Sequence, residues 1–308
     1  MKYINIVNGP QKVSAIIQGC MRMPALTKED AAKVIRTSYE CGINFFDHAT
    51  CYGAGEAETR FAEAFPLTGL HREDIFIQSK CGICPERQEF DWTKENILTS
   101  VDGILSRLRT DHLDTLLLHR PDLLFDPEEV AEAFDALETA GKVRWFGVSN
   151  LMPMQTELLK KYVKQPLIIN QVQLSLEQSQ LIDQALYMNN KTTDLSINRD
   201  GSVLDYCRLN DITIQAWSPL QVGMFGGTFV DNPEFPELNK ALGEIAEREG
   251  VSKAAAAIAW ILRHPAKMQA IIGTMDPEHI SDACDSVKVE LSHHDWYALY
   301  LASGKFLP

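Results

Sequence analysis

Four polar side chains stand at or just beyond the ends of apolar runs that are typical of β-strands. Asp47, Lys80 and His119 each end such a run, and Tyr52 follows Asp47 by five residues in a glycine-containing loop. A tyrosine with a lysine and a carboxylate beside it can donate its phenolic proton near neutral pH, which an isolated tyrosine with a pKa of about 10 does poorly. The four residue types therefore predict a proton-transfer site of the kind that reduces carbonyl groups.

Each of these residues also has an ordinary structural interpretation. Asp47 could cap a helix, Lys80 could be a solvated loop charge, and His119 could be an imidazole satisfied in the core. Taken singly, each of these interpretations is the more frequent one. The coincidence of three polar residues at the ends of three strands favours a functional site.

The elements that would position these residues are short β-rich runs alternating with longer segments of helical period. An N-terminal hairpin is predicted over about residues 2–14, with its turn at Asn8-Gly9-Pro10. Eight strands are predicted after it, at residues 15–18, 44–47, 75–79, 113–119, 143–148, 167–172, 213–217 and 270–272. Strict alternation implies parallel pairing with right-handed crossovers. The pattern favours an α/β fold, a closed (β/α)8 TIM barrel, and a doubly wound sheet is the alternative.

Helix starts are marked by Asp-Pro-Glu sequences. Asp126 is a candidate N-cap, Pro127 occupies the first helical position, and Gly141 ends this helix. A second Asp-Pro-Glu sequence at 276–278 and an apolar stripe over 93–108 predict two further helices. Each helix returns the chain to another strand, as a barrel requires.

The length of the chain allows one domain or two, and the absence of a linker favours one. At 308 residues with 45% hydrophobic content, the chain could hold one large domain or two small ones. No linker rich in Pro, Gly or Ser divides it, so residues 1–308 are expected to form one domain. Two segments, 189–201 and 221–236, interrupt the rhythm and are expected to be loops at the barrel mouth.

The charge balance restricts the class of partner. A formal net charge of -13 argues against a nucleic-acid or anionic-membrane binder, because such partners are held mainly by Lys and Arg. Any anionic ligand must therefore use a local positive site. The first residues lack the pattern of a signal peptide, and no stretch approaches the roughly 20 apolar residues of a membrane span. We expect a cytoplasmic protein that acts on small molecules.

Cysteine and histidine clusters give weaker signals. The seven cysteines are scattered through a large chain, which predicts reduced thiols. Cys81 and Cys84 have the spacing of a redox motif, but they lack its usual context and a second pair for zinc. His293-His294-Asp295 could suggest a metal site, but the apolar residues that follow predict the start of a C-terminal amphipathic helix.

Four segments together resemble the aldo-keto reductases, most closely their bacterial oxidoreductase branch. They are DHATCYG at 47–53, SK at 79–80, LHRPD at 118–122 and GKVRWFGVSN at 141–150. The resemblance extends from the first barrel strand to the last helix. It implies the (β/α)8 barrel with an N-terminal hairpin and a nicotinamide cofactor bound without a Rossmann domain, and no glycine-rich fingerprint follows the first strand here.

The resemblance also implies roles for the four residues. Tyr52 would be the general acid, Lys80 held by Asp47 would lower the pKa of Tyr52, and His119 would orient the carbonyl oxygen by a hydrogen bond. Met21, Tyr52 and His119 would contact the substrate. The expected activity is NAD(P)H-dependent reduction of an aldehyde, ketone or quinone to an alcohol.

A larger set of positions matches the residues that bind the cofactor in this family. They are Gly19, Cys20, Met21, Asp47, Ser149, Asn150, Gln171, Trp217, Ser218, Leu220, Gly273, Thr274, Met275, His279 and Asp282. Many relatives have a lysine near Gly273 and an arginine at His279, and arginine is the better fork for a 2′-phosphate. We expect NADPH, because Thr274 and a partly charged His279 can contact phosphate, with NADH as the alternative.

The expected substrate site is an apolar mouth lined by Met21, Cys51, Cys81, Phe90, Trp92 and segment 221–229. Two other functions stay open at this point. The same family includes cofactor-binding auxiliary subunits of potassium channels, and the barrel fold also hosts metal-dependent hydrolases. A monomer is the state typical of the family.

Overall fold

The architecture is a closed barrel whose mouth carries the candidate residues. In this computed structural model, residues 1–188, 190, 192–223 and 226–307 are described. Strands β1 (Tyr3–Ile4) and β2 (Val13–Ser14) pair as the predicted antiparallel hairpin. Residues 189, 191, 224 and 225 of the two predicted loops lie outside the described residues.

Eight parallel strands form the barrel. In chain order they are β3 (Ile16–Gly19), β4 (Phe45–Asp47), β5 (Phe76–Cys81), β8 (Leu113–Leu118), β9 (Val143–Ser149), β10 (Leu167–Gln173), β11 (Thr213–Trp217) and β12 (Gln269–Ile272), with a small hairpin of β6 (Ile83–Cys84) and β7 (Glu89–Phe90) inserted after β5. Their spatial order is β10-β11-β12-β3-β4-β5-β8-β9, and the sheet closes on itself. The predicted (β/α)8 barrel is confirmed, and the doubly wound alternative is wrong.

Helices surround the barrel. In the described residues they are α1 (Lys28–Glu40), α2 (Glu56–Ala64), α3 (Lys94–Leu108), α4 (Pro127–Thr139), α5 (Pro153–Lys160), α6 (Gln180–Leu186), α7 (Val203–Leu209), α8 (Pro236–Glu249), α9 (Lys253–Leu262), α10 (Pro277–Cys284) and α11 (His293–Ala302). The side chain of Asp126 accepts a hydrogen bond from the backbone of Glu128, and Asp276 does the same for Glu278. Both predicted N-caps are therefore confirmed, as is the C-terminal helix.

The two predicted loops connect different pairs of elements. The segment 189–201 lies between α6 and α7, where Gly201 packs beside Pro153 at the start of α5. The segment 221–236 connects β11 to α8 and contains an isolated bridge between Gln221 and Thr228. Within the described residues, none of the helices is both long and apolar enough to cross a membrane.

Apolar packing holds helices to the outer barrel wall and closes the barrel floor. Inside the barrel, Ile17, Phe45 and Leu117 pack with Ile6 and Val13 of the N-terminal hairpin. Above this apolar floor the barrel interior becomes polar, with four buried glutamines: Gln78, Gln171, Gln215 and Gln269. Barrel interiors are usually filled by Val, Ile and Leu, so a layer of amides needs a separate explanation.

The packing of α4 on β9 gives a stability prediction. Phe134 and Phe146 are fully buried, and their rings stack with centroids 4.1 Å apart. Phe134→Ala should lower the free energy of unfolding by about 3–5 kcal/mol, because it leaves a cavity between helix and barrel. Leu124→Ala, at a site that is 94% exposed, should change it by less than about 0.5 kcal/mol. Urea unfolding of both variants measures this, and equal losses would contradict the assignment of the core.

Candidate active site

The four candidate residues lie together at the carboxyl end of the barrel. Asp47 is the last residue of β4, Lys80 is the penultimate residue of β5, and His119 directly follows β8. Tyr52 begins a 3-10 turn after β4, and its ring lies edge-on to that of His119 with centroids 6.0 Å apart. Asp47 and Lys80 are buried, while Tyr52 and His119 are half-buried.

The ammonium group of Lys80 has three oxygen acceptors around it. Lys80 Nζ lies 2.7 Å from Asp47 Oδ2, 2.7 Å from the backbone oxygen of His48 and 3.1 Å from the hydroxyl of Tyr52. Burial by itself would lower the pKa of Lys80, but Asp47 and Tyr52 more than offset this and raise it above its ordinary value. A buried charge persists when it is paired and fully hydrogen-bonded, so Lys80 is positively charged here.

Tyr52 keeps its proton at neutral pH. Burial raises the pKa of Tyr52 to about 12, and Lys80 opposes that rise through its charge and its hydrogen bond. Lys80 thus acts on Tyr52 in the direction expected from the sequence, but the effect of burial is larger. The consequence is a protonated phenol with a cation 3.1 Å from its oxygen, which is the arrangement of a proton donor whose anionic product is stabilised in advance.

The turn that carries Tyr52 is fixed to the barrel by a buried carboxylate. Arg107 Nε on α3 donates to Glu58 Oε2 at 2.7 Å, and Ser79 Oγ on β5 donates to Glu58 Oε1 at 2.6 Å. The turn ends at Gly55, whose φ is 90° and where an added Cβ would lie 2.6 Å from Arg107 Nε. Glycine at this position therefore permits the close approach of Arg107, and the turn is tied to the strand of the candidate lysine.

The buried glutamines form a ring with Asp47. Asp47 Oδ1 accepts from Gln78 Nε2 at 2.7 Å and from Gln171 Nε2 at 3.0 Å, and Gln215 Oε1 accepts from the same two nitrogens at 2.8 and 3.1 Å. Gln215 Nε2 then donates to Gln269 Oε1 at 3.0 Å. The glutamine layer therefore fixes the position of the Asp47 carboxyl group with two amide donors.

Strand register explains how these residues meet. Asp47 pairs laterally with Gln78, Gln171 with Gln215, and Gln215 with Gln269. In-register neighbours on parallel strands project to the same face, so all five point into the barrel at adjacent levels. The network ends below at the backbone oxygen of Ser14, which accepts from Gln269 Nε2 at 2.7 Å.

His119 is a neutral imidazole at this site. Burial, followed by the charges of Lys80 and Arg120, holds its pKa well below the ordinary value. Its Nδ1 lies 3.6 Å from Cys51 Sγ. A neutral imidazole has one N–H donor and one acceptor nitrogen, so His119 can donate a hydrogen bond from whichever nitrogen carries the proton.

A second group of polar side chains lies beside the ring, at the ends of β9, β10 and β11. Asn150 Nδ2 donates to Ser149 Oγ at 2.8 Å, Trp217 Nε1 donates to Asn150 Oδ1 at 3.2 Å, and Ser149 Oγ donates to the backbone oxygen of Gln171 at 2.8 Å. The Oε1 of Gln171 accepts no hydrogen bond from the described residues. Aligned amides with a spare acceptor and a half-buried indole fit a planar carboxamide such as nicotinamide.

The end of β12 carries the positions expected to hold the adenosine phosphate. Gly273 and His279 are exposed, and Thr274 is half-buried. Asp276 already caps α10 and Glu278 follows in the first turn, so this helix N-terminus is less favourable for an anion than the sequence-based expectation assumed.

Sequence reasoning missed Arg22, whose Nη1 donates to the backbone oxygen of Gly273 at 2.8 Å. Arg22 follows β3 and is 251 residues away in the chain. An added Cβ at Gly273 would lie 3.1 Å from that nitrogen. Glycine at position 273 therefore leaves room for a cation from another loop.

The remaining expected cofactor positions lie at the end of β3 or in the segments that follow β11 and β12. Gly19 ends β3 and is followed by buried Cys20 and exposed Met21. Ser218 follows β11 and its Oγ donates to Gln221 Oε1 at 3.1 Å. Leu220 and Met275 are half-buried, and Asp282 is exposed on α10.

Comparison with known proteins gives the family. The model of the Aldo/keto reductase family matches residues 15–300. The chain belongs to the aldo/keto reductase family. Its members are oxidoreductases that use nicotinamide cofactors in general, and the family supports carbonyl reduction as the general class of activity.

Curated relatives cover nearly the whole of this aldo/keto reductase. The uncharacterised oxidoreductase YcsN of Bacillus subtilis is 35% identical, over 94% of each chain. A 6-dehydroglucose reductase of Agrobacterium fabrum is 34% identical over 96% of each chain, and the oxidoreductase YdhF of Escherichia coli is 31% identical over 96% of this chain and 95% of its own. The solved structure of a thermostable aldo-keto reductase, Tm1743, with the inhibitor epalrestat superposes with a TM-score of 0.78 at 25% identity, covering 98% of this chain and all of that one.

The mouth of this aldo/keto reductase differs in part from the sequence-based expectation. Met21 and Phe90 are exposed and Cys51 is half-buried, as a lining requires. Cys81 and Trp92, however, are fully buried. The ring of Trp92 packs on Phe125 with centroids 5.1 Å apart, and its complete burial removes it from the mouth.

The weaker signals gain no support from the geometry. Cys81 and Cys84 are free thiols, and burial raises the pKa of Cys81 to about 12, which leaves it unreactive near neutral pH. In the described part of the chain, no group of three or more His, Cys, Asp or Glu residues could hold a metal ion. His293 begins α11, whose N-cap is Ser292 with a capping box to Asp295.

His48 gives this aldo/keto reductase a specific acid sensitivity. It is fully buried, neither ring nitrogen has a hydrogen-bond partner among the described residues, and burial, with Lys80, lowers its pKa to about 3. The unfolded chain binds this proton near pH 6.5, so stability should fall as pH falls from 6.5 toward 3, by about 3 kcal/mol at pH 4.5 from this residue. His48→Phe should remove that part of the slope in urea unfolding at pH 7 and 4.5. Exposed His294→Phe should keep the wild-type slope, and an unchanged slope in His48→Phe would refute the assignment.

The glutamine ring gives a second stability prediction. Gln215→Met keeps the side-chain volume but removes the acceptor shared by Gln78 and Gln171 and the donor to Gln269. Buried amide groups that lose their partners should cost about 1–3 kcal/mol of unfolding free energy. Gln180→Met, at an exposed site, is the matched control for the same substitution. If thermal and urea unfolding show equal stability for the two variants, the ring does not contribute to stability.

Proposed function

We propose that this chain is a NAD(P)H-dependent reductase that converts an aldehyde, ketone or quinone to an alcohol. The observation that carries the proposal is the charged Lys80 between Asp47 and the protonated hydroxyl of Tyr52, at 2.7 and 3.1 Å. A reduced nicotinamide cofactor supplies the hydride when bound. The residues of the chain supply the proton and stabilise the charges that its transfer creates.

Tyr52 acts as the general acid. Its phenol transfers the proton to the carbonyl oxygen as that oxygen gains negative charge, and the phenolate that remains is stabilised by Lys80. Asp47 holds Lys80 in position with one oxygen, while the glutamine ring occupies the other. The positive charge is therefore in place before the reaction and needs no rearrangement during it.

His119 orients the carbonyl group. As a neutral imidazole it donates a hydrogen bond to the carbonyl oxygen without competing with Tyr52 as an acid. Preorganised donors of this kind are worth roughly 3 kcal/mol in comparable oxyanion sites. Met21, Tyr52 and His119 would form the part of the mouth that contacts the substrate.

Polar groups at the ends of β9 and β10 would hold the cofactor. Ser149, Asn150 and Gln171 would bind the nicotinamide carboxamide, and Trp217 would stack on its ring. The remaining expected contacts are Gly19, Cys20, Met21, Asp47, Ser218, Leu220, Gly273, Thr274, Met275, His279 and Asp282. Arg22 beside Gly273 supports NADPH over NADH, because it adds a cation where a 2′-phosphate would bind.

The proposed substrate class, an aldehyde, ketone or quinone, is broader than the single sugar substrate that the names of two relatives give. Two of the relatives are named as 6-dehydroglucose reductases, which supports a small polar carbonyl compound as one candidate. The acidic composition argues against nucleic acid and anionic membranes as partners. We propose a cytoplasmic monomer, because the N-terminal residues lack the pattern of a signal peptide and the monomer is the state typical of the family.

The test is the oxidation of NADPH and NADH by the purified protein with a reactive dicarbonyl or a quinone, beside Tyr52→Phe. The variant should lose about 10²–10⁴-fold in kcat, since it removes the transferable proton. Its dissociation constant for NADPH, from the quenching of protein fluorescence, should stay within a factor of about two. The cofactor that gives the higher kcat/KM identifies the preference.

Two outcomes would count against this function. Full activity in Tyr52→Phe would exclude Tyr52 as the acid. Tight cofactor binding by the wild type, with no turnover of any carbonyl tested, would favour a cofactor-binding regulatory subunit of the same fold.

A further inference from the structure

Arg120 is a half-buried cation beside the candidate acid. It directly follows His119, and its guanidinium carbon lies 5.8 Å from the centre of the Trp217 ring. Among the described residues, no carboxylate lies within 4.0 Å of its guanidinium and no side-chain hydrogen bond is formed. The nearest acid in the chain, Asp122, uses its two oxygens to accept from the backbone nitrogens of Trp92 and Leu124.

Two other arginines that pack against the barrel are each paired with a buried carboxylate. Arg72 contacts Asp114 at 2.6 Å, and Arg107 contacts Glu58 at 2.7 Å. Within the described part of the chain, the guanidinium of Arg120 contacts the face of an aromatic ring and no carboxylate, and burial lowers the pKa of Arg120 below its ordinary value. Burying a charge is unfavourable unless it is paired, so a cation left in this state at a ligand-binding mouth is suited to an anion that arrives with the ligand.

The chemistry of the guanidinium specifies the ligand. Its planar fork of N–H donors matches carboxylate, sulfonate and phosphate oxygens in a bidentate way, and such charge-assisted bonds are about twice as strong as neutral ones. The chain as a whole carries a net charge of -13, which repels anions unless a local positive site receives them. Arg120 supplies that local site next to the residues that would hold the carbonyl group.

We propose that Arg120 binds an oxyanion group of the substrate, so that the enzyme prefers carbonyl compounds that carry a carboxylate, sulfonate or phosphate. This rests on the proposed carbonyl reduction. The negative group would anchor one end of the substrate on Arg120 while His119 and Tyr52 engage the carbonyl oxygen at the other. An anionic substrate would also be held away from the acidic outer surface.

The test compares matched aldehydes that differ in charge. The substrates are 3- and 4-carboxybenzaldehyde and their neutral partners, 3- and 4-nitrobenzaldehyde. The variants are Arg120→Met, which keeps the apolar stem, and Arg120→Lys, which keeps the charge without the fork. Arg199→Met removes one positive charge from an exposed position between α6 and α7, and it controls for net charge.

Arg120→Met should raise KM for at least one carboxylated aldehyde by tenfold or more and leave kcat/KM for its nitro partner within threefold. Arg120→Lys should fall between the wild type and Arg120→Met, and Arg199→Met should match the wild type. The dissociation constant for NADPH should not change in any variant. Equal losses on charged and neutral aldehydes, or a weaker NADPH complex in Arg120→Met, would overturn the proposal; the second result would place a cofactor phosphate on Arg120.

A binding measurement separates this proposal from the proposed reaction. Calorimetric titration of the NADP⁺ complex with 4-carboxybenzyl and 4-nitrobenzyl alcohol needs no turnover. The wild type should bind the carboxylated alcohol at least tenfold more tightly, and Arg120→Met should remove the difference. Equal affinity of the wild type for the two alcohols would refute the anion subsite even if both aldehydes were reduced. Absence of reduction with a preserved difference in affinity would refute only the proposed reaction.

Discussion

The rest of the site depends on the buried ion pair between Lys80 and Asp47. Two charges removed from water are stable only when good geometry and further hydrogen bonds compensate for lost hydration. Lys80 meets this requirement through Asp47, the backbone oxygen of His48 and the hydroxyl of Tyr52. Because the Tyr52 hydroxyl is one of the acceptors, the hydrogen bonds that stabilise the Lys80 cation also hold the candidate acid in position.

Both oxygens of the buried Asp47 carboxylate need hydrogen-bond donors, and side chains inside the barrel provide them. One carboxylate oxygen faces Lys80, and the other accepts from Gln78 and Gln171. Those amides require partners in turn, which Gln215 and Gln269 provide down to the hairpin backbone. A single buried carboxylate thereby accounts for a polar layer where barrels usually place branched apolar residues. The apolar floor formed with the hairpin excludes water from below this layer.

Although the protein is acidic as a whole, three cationic side chains lie at the carboxyl end of the barrel. Lys80 lies at the centre, Arg22 lies over Gly273 on one side, and Arg120 lies beside Trp217 on another. Arg22 and Arg120 lie in loops that follow different strands. The closed barrel brings both loops to the site. Convergence of loops at the carboxyl ends of the strands is what allows one scaffold to serve many reactions.

The sequence by itself determined the barrel and the level of the site. Alternating strand and helix periods, the Asp-Pro caps at Asp126 and Asp276, and polar residues closing apolar strands are local signals that depend on nearby residues alone. The tertiary structure decided what depends on burial and on distance across the barrel. Arg22 meets Gly273 across 251 positions, Gln78 meets Gln215 across 137, and Trp92 lies in the core. The pKa of Tyr52 also depends on the fold, because burial raises it and the charge of Lys80 lowers it. Neither effect can be read from the sequence, since both depend on which groups surround Tyr52 in the folded protein.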